Sequence, residues 1–271
     1  MVSHSSGSVR LGTHRNKSCP LYVTQENSKD ERGFLVKFSP VSSKLTFVTT
    51  STNFNIQTIA QTDCVDSRVW RLIKEYTGVW FLGNDGIASP DGEPLRWFTN
   101  YYVLPHIWGP TGGGLSLGTH NNNSCPLYVT KEISEIERGL PVRFSPVLSK
   151  LPFVTPSADL TIQTNAITVC IESLAWKLVK ESSGLWFVGT NGVKSPGIDG
   201  VTSTFKIEKS EEPWGYNLVF CPRLDVPILC KGLGIHKSGY LALGDDIKPY
   251  TFVFEKAPSP TTPSKYIQTV A

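Results

Sequence analysis

No apolar run in the 271 residues approaches the ~18 that a helical membrane span needs, and none keeps a helical period for long. Membrane-spanning helices and helical bundles are thereby excluded. Cationic residues are not in great excess: 26 Lys and Arg stand against 23 Asp and Glu, a net charge of +3, and they are scattered rather than gathered into a stripe. A nucleic-acid partner needs such a stripe to neutralise phosphates, so none is expected. No Cys-x-x-Cys occurs and the five histidines are dispersed, which argues against zinc or any other bound metal. The opening residues, MVSHSSGSVRLG, lack the hydrophobic segment of a signal peptide.

What is present is β-like. Apolar residues come in short runs such as KLTFV, LPVRF, LWFVG and YTFVFE, bounded by members of a set of 23 Gly and 19 Pro. Alternating or β-branched runs with turn residues every 8 to 12 positions or so point to an all-β sandwich, barrel or trefoil rather than a βαβ fold. The aromatics of WFTNYY (Trp97 to Tyr102) have only Arg96 beside them and are read as core or loop packing, not a base-stacking platform. The closing residues 257–271, rich in Pro, Ser and Thr, read as a disordered tail.

The chain also repeats itself. Shifted by 106 positions, Leu11 to Pro90 aligns without a gap on Leu117 to Pro196, with roughly 47 identities in 80. Cys19 falls on Cys125, Cys64 on Cys170, Trp70 on Trp176 and Trp80 on Trp186. The second copy has long flanks on both sides, whereas the first has almost nothing before it and stops near Pro90. Residues 1–90 therefore read as a truncated copy, 91–256 as a complete domain. The six cysteines fall into three natural pairs: Cys19 with Cys64, Cys125 with Cys170 and Cys221 with Cys230. As disulfides they imply an oxidising compartment; as reduced, buried thiols they would suit a cytosolic protein.

From Asp91 to Lys256 the chain resembles the plant Kunitz-type inhibitors of the soybean trypsin inhibitor group, including miraculin-like members. The resemblance rests on DGEPLRWFTNYYVLP, NSCPLYVT after a glycine-rich bend, LVFCP before a short cysteine loop, and GIHKSGYLALGDDIKPYTFVFEK. Both cysteine pairs of residues 91–256 lie where that family places its disulfides. The family likeness implies a β-trefoil of about twelve strands, half closing a barrel and half capping it. It implies no enzyme activity and no cofactor. It implies a monomer, secreted or vacuolar, that defends a plant by inhibiting a serine endopeptidase; the alternative is a non-inhibitory, miraculin-like trefoil with a role in storage, defence, or binding of carbohydrate or another partner. A truncated trefoil would leave an open barrel and unpaired sheet edges, so residues 1–90 are expected to be marginally ordered.

Family inhibitors act through an exposed loop that fills the protease cleft like a substrate. Here that loop corresponds to SPVLSKLPF, with Pro146, Val147, Leu148, Ser149, Lys150, Leu151 and Pro152 between its ends. Pro146 and Pro152 restrict its backbone. The bond after Lys150 would suit a trypsin-like pocket that carries a carboxylate, and the bond after Leu148 a chymotrypsin-like or elastase-like one. The truncated copy has Lys44 and Leu45 at the matching places. One departure is evident: where inhibitory relatives place an Asn that braces the loop through hydrogen bonds, this chain has Trp97, which can donate one hydrogen bond and accept none.

Other motifs fail on context. Ser116 in GLSLG matches a nucleophile elbow, but the next residues, THNNNSCP, have no helical pattern, and the first copy has Arg10 there. The glycines at Gly112 to Gly114 lack the Lys and Ser/Thr of a phosphate loop and read as a flexible bend. Asp245 and Asp246 are adjacent, as in a turn rather than a carboxylate pair. Asn16 and Asn122 lie in glycosylation sequons, each just before its copy's first cysteine.

Overall fold

The computed structural model describes residues 8–14, 17–25, 33, 35–40, 54–58, 70–74, 80–83, 87–90, 93–107, 109, 112–121, 123–147, 153–170, 173–182, 184–193, 198–212, 215–221 and 230–258. The chain divides into two compact units, Met1–Pro94 and Leu95–Ala271, a division four residues later than the repeat alone suggests.

The first unit contains β1 (Val9–His14), β2 (Lys17–Gln25), β3 (Val36–Pro40), β4 (Phe54–Thr58), β5 (Arg71–Lys74) and β6 (Trp80–Gly83). They form a four-stranded sheet in the order β1-β2-β6-β5 and a separate β3–β4 pair.

The second unit is built on a closed ring. Strands β7 (Asn100–Pro105), β10 (Val142–Pro146), β11 (Leu160–Thr164), β14 (Phe205–Lys209), β15 (Tyr216–Phe220) and β19 (Thr251–Lys256) are its members. They run in the order β14-β11-β10-β7-β19-β15, and β15 pairs again with β14, which closes a six-stranded barrel. Closure leaves no open edge in the ring. Its interior is supplied by alternate residues, as the pleat requires: Val142 and Phe144 from β10, Phe205 and Ile207 from β14, Tyr216 and Leu218 from β15, Phe252 and Phe254 from β19, all buried. Phe144 lies edge-on to Phe254, ring centroids 5.4 Å apart, and 6.2 Å from Tyr101.

Three hairpins cap the barrel: β8 (Leu115–His120) with β9 (Asn123–Lys131), β12 (Lys177–Lys180) with β13 (Trp186–Gly189), and β17 (Gly234–Ile235) with β18 (Leu241–Leu243). A short β16 (Lys231–Gly232) adds to β15. Rings from all three hairpin regions converge on His120, with Tyr128 and Tyr240 each 4.7 Å away and Phe187 at 5.2 Å. Tyr128 donates to Glu181 Oε1 at 3.1 Å. Burial, followed by the hydrogen bond to Glu181 and its charge, pushes the Tyr128 phenol up to about 12.

The duplication carries through to strand register. Gly12 pairs with Tyr22 as Gly118 pairs with Tyr128, with a bulge at the same place; Phe38 pairs with Ile56 as Phe144 with Ile162. Burial differs. Phe144 is fully buried, whereas Phe38 is 52% exposed. Likewise Trp176 Nε1 donates to Thr164 Oγ1 at 2.8 Å, while buried Trp70 Nε1 has no acceptor.

Two sequence expectations change on contact with the fold. Ala257, expected to begin a disordered tail, is buried and its N–H donates to the Asn100 carbonyl, because the β7–β19 ladder runs on by one bond. The glycine bend is held rather than flexible: Gly113 and Gly114 donate to the Glu132 and Glu137 carbonyls, and a Cβ on either would overlap the backbone of residues 137 and 138. The rejection of a nucleophile elbow stands: Ser116 sits inside β8 opposite Thr130, not at a strand-to-helix turn.

Candidate functional site

The long connection from β10 to β11 is pinned at its base on both sides. Pro146, expected in the loop, is the last residue of β10 and lies opposite Leu160. The Val147 N–H then donates to the Asp159 carbonyl at 3.0 Å, extending the pairing by one step. On the return side Phe153 bridges to Arg96, and the Val154 N–H donates to the Leu95 carbonyl at 2.7 Å. Phe153 and Val154 are buried, so the chain re-enters the body of the protein there.

Beyond that point Ser157, in the left-handed region at φ 59°, donates its N–H to the Ile207 carbonyl. Lys206 holds this return stretch with its Nζ, 3.1 Å from the Ser157 carbonyl and 3.4 Å from Asp159 Oδ1. Residues 148–152 lie in sequence between these two anchored stems. Leu148, Ser149, Lys150, Leu151 and Pro152 lie outside the described residues, as do Lys44, Leu45, Cys64, Asn16 and Asn122, and nothing of the Cys19 side chain is described.

The segment before β7 is the scaffold of this loop. Leu95 and Trp97 turn inward and are buried, while Arg96 and Phe98 face out. The Arg96 N–H donates to the Tyr101 hydroxyl at 2.9 Å, and the Phe98 N–H to the Phe144 carbonyl at 2.9 Å. Trp97 Nε1 is buried without an acceptor, so this side chain supports its surroundings by packing and offers the loop no hydrogen bond. Phe98 has φ 59°, a conformation that costs a non-glycine residue roughly 1–2 kcal/mol, and is 63% exposed. An exposed, strained Phe was invisible in the sequence, where WFTNYY read as packing; only its backbone conformation turns it outward.

Two of the expected disulfides are formed, Cys125 with Cys170 and Cys221 with Cys230. The first ties β9 to the segment following β11. Among the described residues no three His, Cys, Asp or Glu side chains converge as a metal site. Asp245 pairs with Lys231 at the surface, which holds its carboxyl below the usual range; it lies in a turn closed by Ile247 N–H to Gly244 O, as the sequence reading expected.

A closed barrel capped by three hairpins, with its β10–β11 loop clamped at both ends, is the architecture that the sequence resemblance implies. The sequence pattern of the legume Kunitz family, described as trypsin and protease inhibitor, matches the chain twice, over residues 1–90 and 87–256. The chain belongs to the Kunitz-type trypsin and protease inhibitor family.

Relatives of this Kunitz chain include the Kunitz trypsin inhibitor 4 of Arabidopsis thaliana, 38% identical over 184 residues, which span 63% of this chain and 82% of the relative. The 21 kDa seed protein of Theobroma cacao is 36% identical over 191 residues, 67% of this chain and 86% of that protein. Among solved structures, the rice bifunctional α-amylase/subtilisin inhibitor superposes with a TM-score of 0.52 at 30% identity, covering 64% of this chain and 99% of its own. The fold is thus the Kunitz β-trefoil, and the family acts by inhibition, not catalysis.

Proposed function

We propose that this Kunitz protein inhibits a serine endopeptidase by presenting residues 148–152 to its active site, with Lys150–Leu151 as the bond offered to a trypsin-like enzyme. The observation that carries the reading is the clamped loop base: Val147 to Asp159 on one side, Phe153 and Val154 to Arg96 and Leu95 on the other. Stems fixed before binding remove part of the ordering cost of an interface, about 0.5–1.5 kcal/mol for each side chain that need not be immobilised. Relatives named as inhibitors of trypsin and of subtilisin support the class of target.

The test is a titration of trypsin and chymotrypsin with the oxidised chain and its Lys150→Ala and Leu148→Ala variants. Stoichiometric trypsin inhibition that Lys150→Ala abolishes supports the bond; chymotrypsin inhibition lost in Leu148→Ala moves it to Leu148–Ser149. Inhibition of neither enzyme overturns the reading.

One observation favours a second reading. Trp97 stands where inhibitory relatives have a hydrogen-bonding Asn, and its Nε1 donates to nothing. A loop without that brace suits a non-inhibitory storage, defence or carbohydrate-binding role. Glycan-array binding without protease inhibition would select it. Either role fits a secreted or vacuolar protein, given the two disulfides. Intact mass of plant-expressed protein tests that route, since a glycan on Asn122 requires passage through the secretory system.

A further inference from the structure

A tip confined to residues 148–152 is too small to be a whole interface, because stable protease–inhibitor contacts bury about 800 Å2 and some 20–30 residues on each partner. An enzyme seated on the tip must also cover what lies at its foot. The segment 95–98 lies there. Its Arg96 pairs with Phe153, the first residue after the tip, and its Phe98 N–H is bonded to Phe144 O, two residues before the strand end at Pro146. The segment therefore joins the two stems.

The two residues that it turns outward are of the types in which interface affinity concentrates, an arginine and an aromatic. Phe98 has a left-handed backbone that costs the free protein, and it stays 63% exposed. Packing within the described fold returns little for that cost. Strain of this kind, kept at the margin of a site, points to a use outside folding.

We infer that Arg96 and Phe98 form a second contact strip for the protease, set against the rim of its substrate cleft: Phe98 on an apolar surface of the rim and Arg96 on carboxylate or carbonyl oxygens. The inference rests on the proposed inhibitory role of the 148–152 loop and adds to it the residues that select among enzymes sharing one primary pocket. Trp97 and Phe98 then divide the work of the segment. Trp97 packs inward, and Phe98 is given to the partner.

The experiment measures inhibition constants against trypsin and chymotrypsin, with thermal unfolding, for the intact oxidised chain and for Phe98→Gly, Phe98→Trp, Arg96→Ala and Lys150→Ala. Phe98→Gly keeps the N–H bond to Phe144 and relieves the backbone, so its unfolding temperature stays level or rises. Its inhibition constant is expected to rise at least tenfold, chiefly through faster dissociation. Phe98→Trp, which restores a large ring, is expected to stay within about threefold of the parent chain by the same hot-spot logic. Opposite movement of stability and affinity is what a merely structural role could not produce. Unchanged constants in Phe98→Gly and Arg96→Ala, while Lys150→Ala abolishes inhibition, would overturn the strip and leave the loop assignment standing. An unsubstituted chain that inhibits neither enzyme would overturn the loop assignment and the strip together.

Discussion

Tyr128 shows how a side chain's chemistry depends on where the chain brings it. Nothing in NSCPLYVT distinguishes its phenol, yet in the cap it is buried beside His120 and donates to Glu181, and it is raised to about 12. A phenol whose folded value is raised contributes stability that is complete below pH ~10 and lost as the pH climbs through about 12. An absorbance titration is expected to show a tyrosine step near pH 12 that Tyr128→Phe removes. At the same scale, Phe144→Ala should cost about 3–5 kcal/mol, measured by denaturant unfolding, because it empties a fully buried site between Tyr101 and Phe254. Phe38→Ala, at the equivalent place in the first unit, is half exposed and should cost less than about 1 kcal/mol.

At the scale of elements, hairpin register was legible and the roles of connections were not. The shift of 106 positions predicts that each strand pair of the second copy recurs in the first, and the registers of β1–β2, β3–β4 and β5–β6 match those of β8–β9, β10–β11 and β12–β13. Register follows from alternation and turn length, which are local properties. The glycines at 112–114 read as a loose bend because nothing adjacent in sequence reveals that the backbone of residues 132–138 comes down on them. Gly113→Ala is therefore expected to lower the unfolding temperature by several degrees, the reverse of the usual small gain when a free glycine is replaced. The Cys125–Cys170 bond, of sequence separation 45, crosses from β9 to the strand-β11 side of the barrel. Replacing both cysteines by serine should cost about 4 kcal/mol in the chain-entropy account.

For the whole molecule, the asymmetry between the two units is the main consequence of the duplication. The second unit closes its barrel through β7, β14, β15 and β19. Among its described residues the first unit has only the β3–β4 pair at the barrel positions, beside its four-stranded sheet. Among the described residues β3 and β4 pair only with each other, and with Phe38 half exposed local opening is expected to be cheap there. Limited proteolysis of the intact chain is accordingly expected to cleave first within residues 1–94, leaving a resistant product that starts near Leu95. Equal resistance across both units would show that the first unit is stabilised by means other than barrel closure.

The amino-acid order alone determined the all-β class, the duplication and the cysteine pairs of the second unit. Those features are written in composition, spacing and repetition, each readable within a few tens of residues. Tertiary structure decided which copies of the same residue are core. Lys37-Phe38-Ser39-Pro40 and Arg143-Phe144-Ser145-Pro146 are nearly the same tetrapeptide in the same strand register, yet one Phe is half exposed and the other fully buried. The difference comes from β7 and β19, more than a hundred residues apart, which meet across the second barrel and bring Tyr101 and Phe254 onto Phe144. It also decided that Trp97 faces in and Phe98 out, because a hydrogen bond to Phe144 and a left-handed turn at Phe98 set that direction. Burial depends on what distant strands bring to a residue, and a local sequence pattern holds no record of that.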